Sequence, residues 1–235
     1  MKKIFLFLIL VIFGLFVYFF LFKNVTHAPS LSVLPVIEES NNTEYIEFDL
    51  TYPEIPNGKY LEMSNFLKIT KENFINDFGD ISKEEAEFLG LNENRKYSYI
   101  VNTKVATSSN TVSYILEIYN YTGGAHGITG VTTFTYDDED NLLGLSDIFN
   151  SSSYLTVISD KAYNYFINKF NNEIDDFSLR EGTKPISPNF NSWYMDNEKI
   201  IFIFGQYSIG PYALGIQEFP LSKSEVVDIL NQKYR

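Results

Sequence analysis

The chain opens with a long apolar run followed by a polar segment. Residues 4–22 form an unbroken stretch of nineteen apolar residues. At about 1.5 Å per residue, a helix of this length spans the ~30 Å hydrocarbon core of a bilayer. Lys2 and Lys3 precede the run, so the positive-inside rule keeps this end in the cytoplasm. Residues 1–23 are therefore predicted to be a single-pass transmembrane anchor in the cell membrane, with the C-terminal domain outside the cytoplasm.

A cleaved signal peptide is the alternative interpretation of the same run. The only candidate cut site is the triplet Thr26 to Ala28, and Pro29 follows it directly. A signal peptide also has a shorter apolar core than this one, so the uncleaved anchor is favoured. Residues 24–42 are polar, contain two prolines and show no periodicity, which predicts a flexible linker.

The pattern of the first half, residues 43–141, predicts strands around two helices. Polar and apolar residues alternate from Thr43 to Leu50, which indicates a half-buried strand. Residues 61–78 have apolar side chains at helical spacing, and Ser82 with Glu85 forms a capping-box pattern for a second, short helix. Three strands rich in Tyr, Val, Ile and Thr are predicted to follow as an antiparallel group: 95–107, 111–121 and 131–136.

The second half, residues 142–235, repeats the mixture of helix and strand. Its predicted elements are a helix over 153–170, a long connection over 171–188, a hairpin of 189–195 with 199–204, a strand over 213–219 and a terminal helix beginning at Ser222. Clusters of strands with intervening helices differ from regular βα alternation. The predicted fold class is therefore α+β: an N-terminal transmembrane helix, then two packed antiparallel-sheet units with covering helices.

Composition restricts the chemistry and the partners. There is no cysteine, so disulfides, thiolate catalysis and cysteine-based zinc sites are excluded. The formal charge is −12, and without the three lysines of residues 1–23 the outer part carries −12 − 3 = −15. A field of that sign repels phosphate backbones, so nucleic acid is not an expected ligand. A cationic protein remains a candidate partner, beside the plainer interpretation that acidity keeps an exported domain soluble.

Several separated motifs carry a family resemblance. NYTGGAHGITGVTTFTYD is followed by GLSDIF, with TYPEIP earlier in the chain and YSIGPYALG later. These motifs resemble the extracytoplasmic domain pair of unknown function found in PdaC-type peptidoglycan deacetylases and RsiV-like anti-sigma factors. The matching residues of the central motifs are Tyr121, Gly123, Gly124, Ala125, His126, Gly127, Phe134, Tyr136, Asp137, Leu145, Ser146, Asp147 and Phe149.

The resemblance implies an outer module of the bacterial cell envelope that recognises a wall component or a wall-active protein such as lysozyme. The deacetylases of this type bind a catalytic metal through Asp and paired His residues, whereas the histidines here are only His27 and His126. Neither the deacetylase part nor the sigma-binding part is expected. The alternative is a polysaccharide-modifying enzyme of the wall, or an accessory subunit of one.

Four residues are candidate ligand-binding positions. His126 lies in a glycine-rich loop, where an imidazole can contact a ligand or brace the loop through backbone hydrogen bonds. Tyr121, Tyr207 and Tyr212 offer aromatic faces to a sugar or a partner, with core packing or loop support as the alternative. Gly123, Gly124, Gly127, Asp137 and Asp147 are expected to be structural residues of the motif.

Catalysis, cofactors and metals are not predicted. The acidic string from Asp137 to Asp140 suggests a calcium loop, but counting from Asp138 puts Leu143 at position six, where an EF-hand has glycine. Position twelve is Phe149 and not glutamate, so a solvated turn is favoured. No G-x-S-x-G nucleophile motif accompanies the Ser, His and acidic residues. The sequence thus predicts a binding module, without a catalytic residue.

Overall fold

The computed structural model describes residues 33–171 and 173–235. The predicted anchor at residues 4–22 lies outside the described residues, as does most of the predicted linker. Among the residues that are described, no helix combines the length and the apolar character needed to cross a bilayer. The described residues form one compact unit.

A five-stranded sheet, in the order β1-β2-β3-β4-β5, forms the first half. Its strands are β1 (Val36–Ser40), β2 (Ile46–Pro53), β3 (Tyr97–Thr107), β4 (Thr111–Tyr121) and β5 (Ile128–Asp137). The long β3–β4 and β4–β5 ladders are antiparallel, which confirms the three-stranded group predicted from the sequence. The Tyr, Val, Ile and Thr residues of these strands suit a pleated, half-buried surface.

The sheet is mixed, so the prediction of purely antiparallel units is wrong for one pair of strands. β2 and β3 run parallel, because two helices connect them: α1 (Leu61–Phe78) and α2 (Lys83–Phe88). Parallel neighbours need such a crossover, which the pattern of one strand cannot reveal. Both helices were predicted, and Ser82 caps α2 by accepting a hydrogen bond from the Glu85 amide.

Folded structure also begins before the predicted start at Thr43. β1 lies inside the segment predicted to be a linker, where it pairs antiparallel with β2. Its residues are mostly exposed, so they lack the alternation that marks a half-buried strand. Just before β1, Leu34 is buried, and its amide donates to the hydroxyl of Tyr114. Backbone pairing and this buried contact hold the segment.

The second half contains a three-stranded antiparallel sheet in the order β6-β7-β8. Its elements are α3 (Leu145–Ile148), α4 (Tyr154–Lys169), α5 (Asp176–Gly182), β6 (Trp193–Met195), β7 (Lys199–Phe204) and β8 (Gln217–Ser222). The predicted helix over 153–170 is confirmed as α4. Its buried residues Ile158, Ala162 and Phe166 belong to the core that also contains Phe204 and Phe219 of the sheet.

Three predictions in this half are wrong. The connection over 171–188 contains α5, whose N-cap Asp175 accepts from the Ser178 amide and whose Leu179 is fully buried. The strand predicted over 213–219 lies further along the chain as β8.

No α-helix begins at Ser222. The Ser222–Glu225 capping box forms, but it starts only a 3-10 turn, Lys223–Glu225. Residues beyond the turn hydrogen-bond to the end of α3 instead: the Asn150 amide donates to Ile229 and the Asn231 amide to Ile148. These tertiary hydrogen bonds replace the intrahelical ones.

The two sheets meet along β5 and β6. The Trp193 amide donates to the Thr133 hydroxyl over 2.9 Å, and the Ser192 hydroxyl donates to the Val131 carbonyl over 2.7 Å. Each half keeps its own buried apolar cluster. The architecture is therefore α+β, with two sheet units and covering helices, as predicted in outline.

Candidate functional site

The glycine-rich loop between β4 and β5 adopts a conformation that requires its glycines. Gly123 has φ 100° and Gly124 has φ 91°, values that side chains with a Cβ rarely adopt. Tyr121, the last residue of β4, is 9% exposed and lies directly before the loop. Both glycines therefore permit the turn by which the chain leaves β4.

Tyr121 and Arg95 hold this loop through hydrogen bonds. Arg95 Nε donates to the Tyr121 hydroxyl over 2.7 Å, and that hydroxyl donates to the Gly124 carbonyl over 3.0 Å. The Arg95 guanidinium also donates to the same carbonyl over 3.1 Å. Tyr121 is thus a support of the loop and exposes little surface to a ligand. Of the two roles that the sequence left open for Tyr121, ligand contact and loop support, these hydrogen bonds favour loop support.

Gly127 is required for a close approach. A Cβ atom at this position would lie 2.5 Å from the ring and hydroxyl of Tyr119. The Gly127 carbonyl accepts two hydrogen bonds, from His126 Nδ1 at 2.9 Å and from the Tyr212 hydroxyl at 3.2 Å. Because a carbonyl can only accept, Nδ1 carries the proton and Nε2 is left for other contacts. Burial raises the pKa of the Tyr119 hydroxyl, so it stays protonated at neutral pH.

Three aromatic rings from the two halves of the chain lie side by side. The His126 and Tyr212 ring centroids are 4.1 Å apart with 31° between the planes, and Tyr207 lies 5.6 Å from Tyr212. Tyr207 has φ 65° and is 55% exposed, while Tyr212 is half-buried and His126 is exposed. The structure therefore brings three of the four candidate residues together into an aromatic platform, formed by His126, Tyr207 and Tyr212.

Next to the platform lies an open groove of about 900 Å³. His126 belongs to both. The lining is polar and carries both signs of charge: Asn42, Glu47, Glu93, Asn94, Arg95, Lys96, Ser98, Tyr119, Tyr121, Gly124, Ala125, His126 and Gly127. Hydroxyl, amide, carboxylate and guanidinium groups beside exposed rings can bind a polyhydroxylated ligand. The rings can stack on an apolar face while the groove exchanges hydrogen bonds.

The cations of the groove are oriented by neutral acceptors. Lys96 Nζ donates to the Thr43 carbonyl over 2.6 Å, and Arg95 uses the Tyr121 hydroxyl and the Gly124 carbonyl. Ser98 donates to the Glu47 carboxylate over 3.1 Å. Arg95 and Lys96 thus hold fixed positions without an ion pair among the described residues.

Asp137 lies at the opposite end of β5 from the glycine-rich loop. Its Oδ1 accepts from the backbone amides of Glu139 and Asn141, both at 2.9 Å, and its Oδ2 accepts from Lys233 at 3.1 Å. Burial raises the pKa of this carboxyl, but hydrogen bonds from Asn141, Lys233 and Glu139 outweigh it, and the net effect lowers the pKa. Asp137 therefore braces a turn.

Asp147 also has a structural role. Its Oδ2 accepts from the Gly144 amide over 2.8 Å at the start of α3. Within residues 33–171 and 173–235 there is no group of three or more His, Cys, Asp or Glu side chains placed to hold a metal ion. Asp137 and His126 are separated by the ten residues of β5 at about 3.3 Å each, so they do not share a site.

Sequence reasoning missed Arg95 and Tyr119. Arg95 depends on the register of β3 and β4, which pairs Ser98 with Tyr121 and brings the start of β3 beside the loop. Tyr119 depends on the register of β4 and β5, which pairs it with Thr129 and places it beside Gly127. Strand periodicity predicts two neighbouring strands but not their exact partners. The tight GGAHG turn was the available signal, because several glycines together indicate a close approach by another side chain.

Fold and site together define a two-part α+β domain with its groove and aromatic platform at a glycine-rich loop. Residues 39–129 match the family described as "Deacetylase PdaC", and residues 146–224 match the family described as "Protein of unknown function (DUF3298)". The chain therefore contains a segment similar to the PdaC family, followed by a segment similar to the DUF3298 family. This confirms the domain pair predicted from the motifs.

One curated relative is the peptidoglycan-N-acetylmuramic acid deacetylase PdaC of Bacillus subtilis (strain 168). It is 29% identical over 197 residues, which are 83% of this chain and 41% of the relative. The chain thus spans less than half the length of the deacetylase.

Two solved structures share the fold. A DUF3298 family member from Bacteroides fragilis superposes with a TM-score of 0.62 at 18% identity, over 87% of this chain and 96% of that one. A DUF3298 family protein from Pseudomonas aeruginosa PAO1 gives 0.58 at 16% identity, over 86% and 97%.

Proposed function

We propose that this protein is a recognition module of the bacterial cell envelope that binds a wall glycan in the groove beside the aromatic platform. The observation that carries the proposal is the position of the adjacent His126 and Tyr212 rings next to the polar groove of about 900 Å³. A sugar has an apolar face for the rings and hydroxyl groups for the polar lining. The binding function needs no catalytic residue.

The platform is held in place before any ligand binds. The Tyr212 hydroxyl donates to Gly127, and Gln206 Oε1 accepts from the Thr129 amide over 2.8 Å, so the second half of the chain is fastened beside the loop. A preformed site loses less conformational entropy when it binds a ligand. The two halves therefore act as one receptor, with the groove from the first and two of the rings from the second.

The proposed location follows from the apolar run at residues 4–22. It anchors the chain in the cell membrane and presents residues 33–235 on the outer side, where a wall glycan is accessible. Protease added to intact cells should then remove the folded part while the apolar run stays in the membrane fraction. Full protection of the intact chain in such cells would contradict this location.

Binding of wall oligosaccharides to the full chain, purified in a non-ionic detergent, tests the proposed function. N-acetylated wall oligosaccharides are titrated and the heat of binding is measured for the wild type and for Tyr212→Ala, Tyr212→Phe and Phe88→Ala. Loss of the ring in Tyr212→Ala should weaken binding about fivefold to tenfold, because a stacking contact contributes about 1 kcal/mol. Tyr212→Phe keeps the ring and should lose less.

Phe88→Ala is the matched control, because Phe88 is 89% exposed on α2 and is absent from the groove lining. It should bind like the wild type. Equal affinity of Tyr212→Ala and the wild type, or no saturable heat with any wall oligosaccharide, would contradict glycan binding at this site.

A cationic envelope protein is the second candidate partner, favoured by the formal charge of −12. Such an association is steered by charge and weakens steeply with salt. Pull-down of a basic wall-active protein that disappears at high salt, together with no glycan binding, would support this partner instead. The alternative role, as accessory part of a wall-modifying enzyme, is favoured by the name of the curated relative. It predicts a change in the activity of a partner deacetylase on adding this chain.

A further inference from the structure

A second, much smaller pocket lies where the turns of both sheets meet the C-terminal segment. The β3–β4 turn contributes Ser109, the β6–β7 turn contributes Asn197, and Lys223 follows β8. Ser109 donates to Asn197 Oδ1 through its amide at 2.8 Å and through its hydroxyl at 3.0 Å, which fixes the two turns together. The pocket has a volume of about 60 Å³.

The lining of this pocket has three cationic side chains and no carboxylate side chain. It consists of Ser108, Ser109, Asn110, Asn197, Lys223, Lys233, Tyr234 and Arg235. Such a lining is unexpected in a chain with 30 acidic and 18 basic residues. The groove described above differs, because its cations are accompanied by Glu47 and Glu93.

Lys223 is the most buried of the three cations in the lining, with 8% of the residue exposed. Its Nζ keeps some access to solvent, and it forms no hydrogen bond or ion pair with residues 33–171 and 173–235. Burying an ammonium group without a partner is costly, so buried lysines are normally paired. Burial accordingly lowers the pKa of Lys223, and the more distant Asp196 carboxylate offsets only part of this effect.

The other two cations of the lining, Lys233 and Arg235, have partners of their own. Lys233 forms ion pairs with Asp137 at 3.1 Å and Asp138 at 2.8 Å, so its charge is compensated outside the pocket. Arg235 Nε donates to the neutral Leu230 carbonyl over 3.2 Å. Within the lining, no acidic side chain compensates Lys223 or Arg235.

We propose that this pocket binds a small oxyanion, specifically a phosphate group, with Lys223 Nζ as the principal cation. The volume equals about two water molecules of ~30 Å³, which accommodates one phosphate group and is too small for a sugar ring. The bound anion would give Lys223 Nζ a direct hydrogen-bond and charge partner inside the pocket. It would also bridge the turns of the two sheets, because the lining residues come from both.

The phosphate group can come from free phosphate or from a phosphate-bearing polymer, and two arms of the experiment distinguish these sources. The full chain, labelled with ¹³C at lysine and purified in a non-ionic detergent, is titrated at constant ionic strength with inorganic phosphate. A parallel sample receives poly(glycerol phosphate). The ¹³Cε resonance of Lys223 should shift in a saturable manner with a Kd of about 1 mM or tighter in at least one arm, and the pKa of Lys223 should rise.

Variants separate the pocket from general charge effects. Lys223→Gln should weaken phosphate affinity at least about tenfold, because hydrogen bonds to charged groups are stronger than neutral ones. The affinity of this variant is measured from the remaining lysine and amide resonances. Lys223→Arg keeps the charge and should retain binding. Lys83→Gln removes an exposed lysine from α2 and should bind as the wild type does.

Absence of a saturable Lys223 shift in both arms would overturn the proposal, as would an equal response to sodium chloride. Unchanged binding by Lys223→Gln would overturn it as well. Should Lys223→Gln fail to fold, the wild-type titration and Lys223→Arg still decide the question. The glycan titration of Tyr212→Ala reports separately on the groove, so the two proposals can fail independently.

Discussion

The two ends of β5 carry residues of the same sequence motif, yet they differ in what they leave available. At the Asp137 end, the carboxylate is 6% exposed and is enclosed by two backbone amides and Lys233. At the His126 end, the imidazole is exposed and donates through Nδ1 to the Gly127 carbonyl. A turn whose polar groups are all hydrogen-bonded stabilises the fold, whereas a rigid loop with exposed polar and aromatic groups can bind a ligand. The comparison separates motif residues that build the fold from those that recognise a ligand.

The largest effect is expected for Gly127→Ala at the loop end. The new Cβ would lie 2.5 Å from the Tyr119 ring, so the loop must shift, and overpacking of this kind costs about 1–3 kcal/mol. Chemical denaturation followed by the fluorescence of the buried Trp193 measures the loss. Glycan binding should also be abolished.

Gly130→Ala is the matched control for that substitution. Gly130 lies on β5 with no atom within 4 Å of an added Cβ. Its stability should change by less than about 0.5 kcal/mol, as for a surface substitution. Equal destabilisation by both variants would contradict the steric role of Tyr119.

Asp137→Asn should have the next largest effect, at the other end of the strand. The variant loses the charge that Lys233 and the turn amides recognise, which should lower the free energy of unfolding by about 1–3 kcal/mol. Glycan affinity should stay unchanged, since Asp137 lies outside the groove. A large fall in glycan affinity with normal stability would reverse the assignment of the two ends.

The same residue gives a pH dependence of definite sign. The folded-state pKa of Asp137 is lowered, so its carboxylate stabilises the fold fully above the unfolded-state pKa of about 3.9. That contribution is lost as the pH falls through the folded-state pKa. Acid unfolding of wild type and Asp137→Asn should therefore converge at low pH and separate above about pH 5. Parallel curves over the whole range would contradict the linkage.

Tyr121→Phe should have an intermediate effect on both properties. It removes the hydroxyl that joins Arg95 to the Gly124 carbonyl, and one such bond contributes about 0.5–1.5 kcal/mol. The free energy of unfolding, measured by chemical denaturation, and the glycan affinity, measured by calorimetry, should both fall modestly. Unaltered affinity would show that the brace is dispensable.

Tyr207→Ala should be the mildest variant for stability. The ring is 55% exposed, so unfolding should change by less than about 0.5 kcal/mol. Glycan affinity should fall about twofold to fivefold, because the ring adds to the platform formed with Tyr212. A destabilisation as large as that of Gly127→Ala would show that Tyr207 is a core residue.

Local signals predicted elements well where local energetics decide the structure. The two capping boxes show the limit: Ser82 with Glu85 starts α2, where the fully buried Ala86 follows, whereas Ser222 with Glu225 starts only a 3-10 turn. Beyond that turn, Asn231 donates to the Ile148 carbonyl, a partner 83 positions earlier in the chain. Contacts at such separation leave no local pattern.

The site was predictable to a similar degree. His126, Tyr207 and Tyr212 were selected from composition and motif, and the fold brings them together. The support by Arg95 depends on the pairing of β3 with β4, and the cavity at Lys223 depends on three turns that are distant in sequence. Register and turn packing are tertiary properties, so a single sequence does not specify them.

Mapping the glycan contact on the full chain tests the central claim most directly. Amide resonances are followed during titration with an N-acetylated wall oligosaccharide, with the chain in a non-ionic detergent. We expect saturable shifts at Gly124, His126, Gly127 and Tyr212, with none at Asp137 or Asn141. Shifts confined to the Asp137 end, or no saturable shift at the glycine-rich loop, would contradict the assignment of recognition to the groove and its aromatic platform.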